Sequence, residues 1–196
     1  MARAAARLLQ AYWNFAMSLA DIVFLPEDPA HDHEIEDINA EAFGPGRFAK
    51  AAYKIREGGP HERSLSFVAL DQDKVVASVR LSRIVAGEGR GLLLGPLAVR
   101  PAYKNQGIGK KLVHIALEAA RDIGAGVVVL VGDEPYYGAL GFKRVPNGQL
   151  AMPRPVDPNR LLAAELKEGA LAELQGMVMH EALAGQRAKP PLAGAA

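Results

Sequence analysis

Cysteine is absent from this chain of 196 residues. That excludes a disulfide framework, a cysteine-ligated metal and a thiol nucleophile. Acyl transfer through an acyl-cysteine goes with them. Aromatic residues are sparse, at 6% with a single Trp. Net charge is nearly absent too: 23 Lys and Arg stand against 22 Asp and Glu, leaving +1. A protein that coats nucleic acid needs more than that, although a local basic patch is compatible with it. No run reaches the roughly 18 apolar residues of a membrane-spanning helix, so no membrane partner is expected. The first residues carry Arg3 and Arg7, but Gln10 and Asn14 interrupt the apolar centre and no small-residue cleavage site follows, so the start does not read as a secretory signal. Lack of cysteine suits a cytoplasmic protein. What is present, 49% hydrophobic and 23% charged residues, is the make-up of one globular domain with room for a core. No internal repeat is visible.

The stretch from Leu92 to Phe142 organises the rest. An apolar strand, Leu92 to Val99, ends at Arg100-Pro101. A glycine-bearing loop, Lys104-Asn105-Gln106-Gly107-Ile108-Gly109, opens directly into an amphipathic helix of about four turns. A second apolar strand, Val127 to Val131, leads to Tyr136-Tyr137 and Gly141-Phe142. Strand, loop and helix N-terminus form a device for holding phosphate: free backbone N–H groups converge where the helix dipole favours negative charge. Other phosphate loops fail on spacing. Gly109-Lys110 is followed by Lys111, not Ser or Thr, and position 104 is not Gly, which excludes a Walker A loop. Position 112 is Leu, which excludes a dinucleotide fingerprint.

In chain order, Leu8, Tyr12, Phe15 and Leu19 fall on one helical face, so residues 1–20 are predicted to form a helical extension. Ile22 to Leu25 is a candidate strand closed by Pro26. The cluster His31, Asp32, His33, Glu34, Glu36, Asp37 reads not as a metal site but as a helix start, with Asp32 as the cap and acids in the first turn; Ile35, Ile38, Ala42 and Phe43 form its buried face. Phe48 to Glu57 is predicted helical, with Phe48, Ala52 and Ile55 inside. Leu65 to Leu70 and Val75 to Ile84 read as a hairpin around Asp71-Gln72-Asp73-Lys74, the second strand half-buried by its period-2 pattern. Leu161 to Leu166 is taken as a last strand, although periodicity alone allows a helix over 160–168. The tail, 187–196, is rich in Pro, Ala and Gly and is predicted to be disordered. The main domain therefore runs over 21–186, an α/β domain with a mixed sheet and helices on its faces.

The loop, placed after "VRPAY" and followed by "YYGALGF", resembles the acetyl-coenzyme A signature Q/R-x-x-G-x-G/A of the GNAT superfamily of N-acetyltransferases. The resemblance spans about Ile22 to about Leu171, and its motifs look like those of a bacterial subgroup of predicted acetyltransferases. Lys104 departs from the motif's Gln or Arg; the family uses that position mainly for its backbone N–H and positive charge, which Lys can supply. The resemblance implies a GNAT fold, with a V-shaped splay between its two central parallel strands. It also implies an acetyl-CoA cosubstrate, no metal, and transfer of the acyl group to an amine, on a small molecule or a protein, by direct attack in a ternary complex. Dimerisation is common in the family and stays open here.

Cofactor binding is expected from Lys104, Asn105, Gln106, Gly107, Ile108, Gly109 and Lys110. The N–H groups of Gln106 to Gly109 would face the pyrophosphate, while Arg100, Lys104, Lys110 and Lys111 would add positive charge. By resemblance, Leu97, Ala98 and Val99 contact the pantetheine arm like an added strand, and a backbone N–H near Leu97 or Ala98 polarises the thioester carbonyl. Gly95-Pro96 sits where a bulge would open the gap. In Y-x-x-x-G-F the family's tyrosine that protonates the thiolate falls on Tyr137; the competing reading makes Tyr136 and Tyr137 core aromatics. Arg47, Tyr53, Arg56 and His61 fall on the helices and loop that wall the family's acceptor site. The general base is not legible: leucines hold the central strand where many members carry a Glu, leaving Glu41, Asp133 and Glu134, a water chain or an acceptor of low pKa. An acyl-CoA sensing module of the same fold is the alternative.

Overall fold

The computed structural model describes residues 21–184; the expected N-terminal helix over 1–20 and the tail over 187–196 lie outside them. Its frame is a mixed sheet. In chain order the strands are β1 (Val23–Pro26), β2 (Phe67–Asp71), β3 (Lys74–Ala86), β4 (Gly89–Val99), β5 (Val127–Val131), β6 (Lys143–Arg144), β7 (Leu150–Ala151), β8 (Leu161–Glu165), β9 (Gly176–Met177) and β10 (Met179–His180). The main sheet runs β1-β2-β3-β4-β5-β8-β6, with β10 added to β3, while β7 and β9 form a small sheet of their own. Only β4 and β5 pair in parallel in the main sheet. The hairpin between β2 and β3 turns at Gln72 and Asp73 with φ of 46° and 67°, the left-handed pair that matches the strands' own twist.

The helices are α1 (Asp32–Phe43), α2 (Ala51–Arg56), α3 (Ile108–Asp122), α4 (Glu134–Tyr137), α5 (Ala170–Glu173) and α6 (Glu181–Ala184). α3 is the crossover between the parallel strands. Leu112, Val113, Ala116, Leu117 and Ala120 recur at helical spacing and are buried on the sheet, while Lys110, Lys111, His114 and Glu118 face water. β5 reads Val-Val-Val-Leu-Val because it is covered on both faces. Val128 and Leu130 join the core under α3, whereas Val127 and Val129 join a second core with Ile55 and Leu161.

Three expectations need correction. Asp32 does not cap α1; the side-chain cap is Asp28, which accepts from Ala30 N at 2.8 Å in the turn just before, and Asp32 is drawn off to arginines. Phe48 is not an inner helical residue: it lies in a 3-10 turn, Pro45–Ala49, and is 44% exposed beneath the Arg47 guanidinium. β3 is buried on both faces rather than one, with Ser78 and Ser82 fully enclosed, because packing covers the face that alternation alone leaves to solvent. Leu161–Glu165 is a strand, clamped between β5 and β6.

Candidate active site

The glycine-bearing loop keeps its donors free. Asn105 and Gly107 have φ of 62° and 85°, left-handed values that turn the chain sharply into α3. Among the described residues, no backbone N–H from Asn105 to Lys110 has a hydrogen-bond partner, and the ladder of α3 resumes with Lys111 N on Gly107 O at 3.0 Å. The Gln106 side chain closes the loop on itself, donating to Ala102 O at 3.0 Å. Lys104, Asn105 and Lys110 are exposed, Ile108 is a core residue, and Lys110 Nζ stands 5.9 Å from the centre of the Tyr136 ring. Arg100 is engaged elsewhere, donating to Val75 O at 3.0 Å and to Glu41 at 3.3 Å. A Cβ on Gly109 would stand 2.7 Å from Tyr136 Oη and within 3.4 Å of Val99 Cγ2. The loop leaves a cradle of free N–H donors, with its walls supplied by β4 and Tyr136.

Beside it the sheet opens. β4 and β5 pair only at Leu92 with Val128 and at Leu93 with Val129, although β4 continues to Val99. The break follows from β3: Val79 faces Leu97 and Leu81 faces Leu94, so Gly95 and Pro96 together oppose Arg80 alone. Two residues against one form a bulge, and proline has no N–H to extend a ladder. Leu97 and Val99 turn their side chains to Gly109. Ala98 is 1% exposed and packs with Ile35 and Ile38 on the opposite face, leaving its backbone as the part that can meet a ligand.

A cavity of about 650 Å³ occupies the opening, bounded by Leu94 to Leu97 on one side and Leu130 to Asp133 on the other. The two tyrosines diverge here. Tyr136 points to Gly109, whereas Tyr137 lines the cavity, packed on Gly132 and edge-on to Phe142 at 5.7 Å. Burial first, then the neighbouring Tyr136 and Asp133, push the Tyr137 pKa upward, so its hydroxyl keeps its proton at neutral pH.

Arg47, Tyr53, Arg56 and His61 all line this cavity. Behind His61 stands a residue that periodicity does not single out. Glu27, just past β1, has a side chain with no exposure. Its Oε1 is 2.8 Å from His61 Nε2 and accepts from Arg63 Nη1 and Arg80 Nη2 at 2.9 Å; Oε2 accepts from Arg80 Nε at 2.8 Å. Burial raises its pKa, but the hydrogen bonds from His61 and Arg80 outweigh that and hold it at about 2. A permanent carboxylate only accepts, so His61 Nε2 carries the hydrogen of this bond; Nδ1 has no partner among the described residues. Asp32 completes the cluster, accepting from Arg63 Nη2 and Arg80 Nη2 at 3.0 Å. The earlier base candidates are tied up: Glu41 with Arg100, Asp133 with Arg160 at 3.1 Å, and Glu134 with Arg144. No helix among the described residues is long and apolar enough to cross a membrane, and no group of three or more His, Asp or Glu there is placed to hold a metal.

Residues 32–143 match the model of the acetyltransferase (GNAT) family. The chain is similar to the uncharacterized N-acetyltransferase YhbS of Escherichia coli, 28% identical over 155 residues covering 78% of this chain and 92% of that protein. It is likewise similar to YjhQ of the same organism, 28% identical over 131 residues covering 65% and 72%. Among solved structures, the fold matches YhbS in complex with CoA, with a TM-score of 0.71 and 24% identity over 86% of this chain and 94% of that one. It also matches a GNAT acetyltransferase of Brucella melitensis in complex with acetyl-CoA, with a TM-score of 0.53 and 28% identity over 72% and 94%.

Proposed function

This chain belongs to the GNAT acetyltransferase family, and from that premise we propose that it moves an acetyl group from acetyl-CoA to a primary amine by direct attack in a ternary complex. The observation that carries the reading is the run of unpartnered N–H groups from Asn105 to Lys110, set against the opening between β4 and β5. The residues present fit the cosubstrate. Gln106, Gly107, Ile108 and Gly109 offer donors for a diphosphate, while Lys104, Lys110 and Lys111 add charge. The edge of Leu97, Ala98 and Val99 that faces β5 makes no ladder pair, so it is free for a pantetheine arm. The relatives with CoA and acetyl-CoA bound support the same assignment.

Acetyl-CoA would supply an acyl group activated as a thioester. His61, held by Glu27, takes the proton that the attacking amine loses as its C–N bond forms. A backbone N–H near Leu97 or Ala98 polarises the carbonyl. Tyr137, whose hydroxyl burial keeps protonated, gives that proton to the sulfur as the C–S bond breaks. The lack of a carboxylate on β4 favours a second reading, an acyl-CoA sensor without turnover, and the His61–Glu27 pair weighs against it.

Titration calorimetry with acetyl-CoA, followed by amine-dependent thiol release over a panel of acceptors, tests the assignment. Binding with release supports the enzyme; binding without release leaves the sensor; absence of binding in the intact protein removes both.

A further inference from the structure

Arg56 is the exception among the arginines. Arg47, Arg63, Arg80 and Arg100, the others that are not fully exposed, each hold a carboxylate partner within 4 Å. Arg56 ends α2 and lines the cavity, with neither an ion pair nor a side-chain hydrogen bond among the described residues. Its Nη1 reaches to 3.6 Å from where a Cβ of Gly95 would stand, which places it at the bulge where β4 leaves β5. Its guanidinium carbon lies 5.9 Å from the centre of the Tyr53 ring. Burial, and then the nearby Arg80, lower its pKa to about 10 against the opposing pull of Tyr53 and Glu36: the cation has lost water without gaining a carboxylate in direct contact.

The rest of the cavity wall does not supply that counter-charge. Glu36 is shared by Arg47 at 3.7 Å and Arg80 at 3.6 Å. Glu57 holds Lys54, Asp133 holds Arg160, and Asp157 caps the turn at Asn159. Lys50, also on the wall, faces the Phe43 ring at 5.2 Å rather than an acid. On the same wall Asn39 is 3% exposed and its Oδ1 has no hydrogen-bond partner among the described residues. Buried polar groups are almost always paired, and here an unpaired cation and an unpaired acceptor share one space.

We propose that the acceptor is a small amine bearing a carboxylate, and that Arg56 is the residue that holds this carboxylate. The inference rests on the acetyl-transfer reading and names the substrate class of that site. Planar and doubly donating, a guanidinium matches a carboxylate as an ammonium does not. The cavity, at about 650 Å³, suits a molecule of metabolite size beside the end of a pantetheine arm. A bound carboxylate also screens Arg56 from the amine, which must itself approach the bulge.

The test uses pairs of amines that differ by one carboxylate: lysine and cadaverine, histidine and histamine, tyrosine and tyramine, 4-aminobutyrate and propylamine. Acetylation of each is measured with the full chain, and binding of each is titrated with and without saturating CoA. The expected result is a preference for a carboxylated member of about ten- to a hundredfold in kcat/KM, the weight of one charge-assisted pair. Arg56→Met should raise KM for that acid by the same factor, leave kcat and CoA affinity within about threefold, and collapse the preference; Arg56→Lys should restore part of it. An equal or better result with the decarboxylated partner overturns the proposal, as does failure of every carboxylated amine to bind while CoA binds. An equal fall in kcat for both members in Arg56→Met also overturns it, and would assign Arg56 to the carbonyl oxygen instead. Failure of acetyl-CoA itself to bind is a separate outcome that removes the acetyl-transfer reading, and the titrations without CoA still report on the anion.

Discussion

The two halves of the site are built by opposite means. The cradle half is six consecutive residues, Lys104 to Gly109, and offers backbone N–H groups. The other half, around the cavity, offers side chains gathered from α1, α2, the segment before β2, and β3, backed by a charge cluster around Glu27 just past β1. One half is local and needs few particular side chains; the other is non-local and depends on each of them. A cradle of this kind can be read from residue order, whereas a cluster assembled over |i−j| of 34 to 53 cannot.

This contrast can be broken from either side. Gly107→Glu places a side chain at φ 85° and a negative charge among the donors, so acetyl-CoA affinity should fall by about a thousandfold while the fold persists, as calorimetry and circular dichroism would show together. Tyr137→Phe keeps the ring packed on Gly132 and Phe142 but removes the proton donor. Its kcat should drop on the order of a hundred- to a thousandfold with acetyl-CoA affinity unchanged; an unaltered kcat would return Tyr137 to the core-aromatic reading.

Glu27→Gln strikes the other half through stability. The folded pKa of Glu27 is about 2 against an ordinary 4.5. A depressed carboxylate contributes stability that is complete above pH 4.5 and lost as pH falls toward 2. The substitution should cost about 3 kcal/mol at neutral pH, and the gap between variant and parent in urea unfolding should narrow through that acid window. A constant gap would mean that Glu27 acts by packing and not by charge. The smallest effect tests the contact between the halves. Gly109→Ala places a methyl 2.7 Å from Tyr136 Oη, and the hydroxyl, at the end of a side chain, can give way. Acetyl-CoA affinity should weaken about fivefold, within the range of mild overpacking, and Tyr136→Phe in the same chain should restore it.

Much of the frame was legible because it repeats a simple period. The strand Val127–Val131 and the helix after Gly107 stand where alternation and helical spacing put them, and the bulge at Gly95-Pro96 stands where proline denies a ladder its donor. Phe48 was misplaced because an apolar residue beside a short helix reads as core, while a 3-10 turn swings it outward. Asp32 was misplaced because a cap and an arginine partner draw on the same residue type, and only the approach of Arg63 and Arg80 decides between them.

Residue order alone determined the cradle, its helix and the apolar strands beside it, because backbone geometry and hydrophobic period act over a few neighbouring residues. Tertiary structure alone decided which charges are spent and which are free. A buried ion's state depends on the groups within a few ångströms of it, and for Glu27 those groups, His61, Arg63 and Arg80, come from distant parts of the chain.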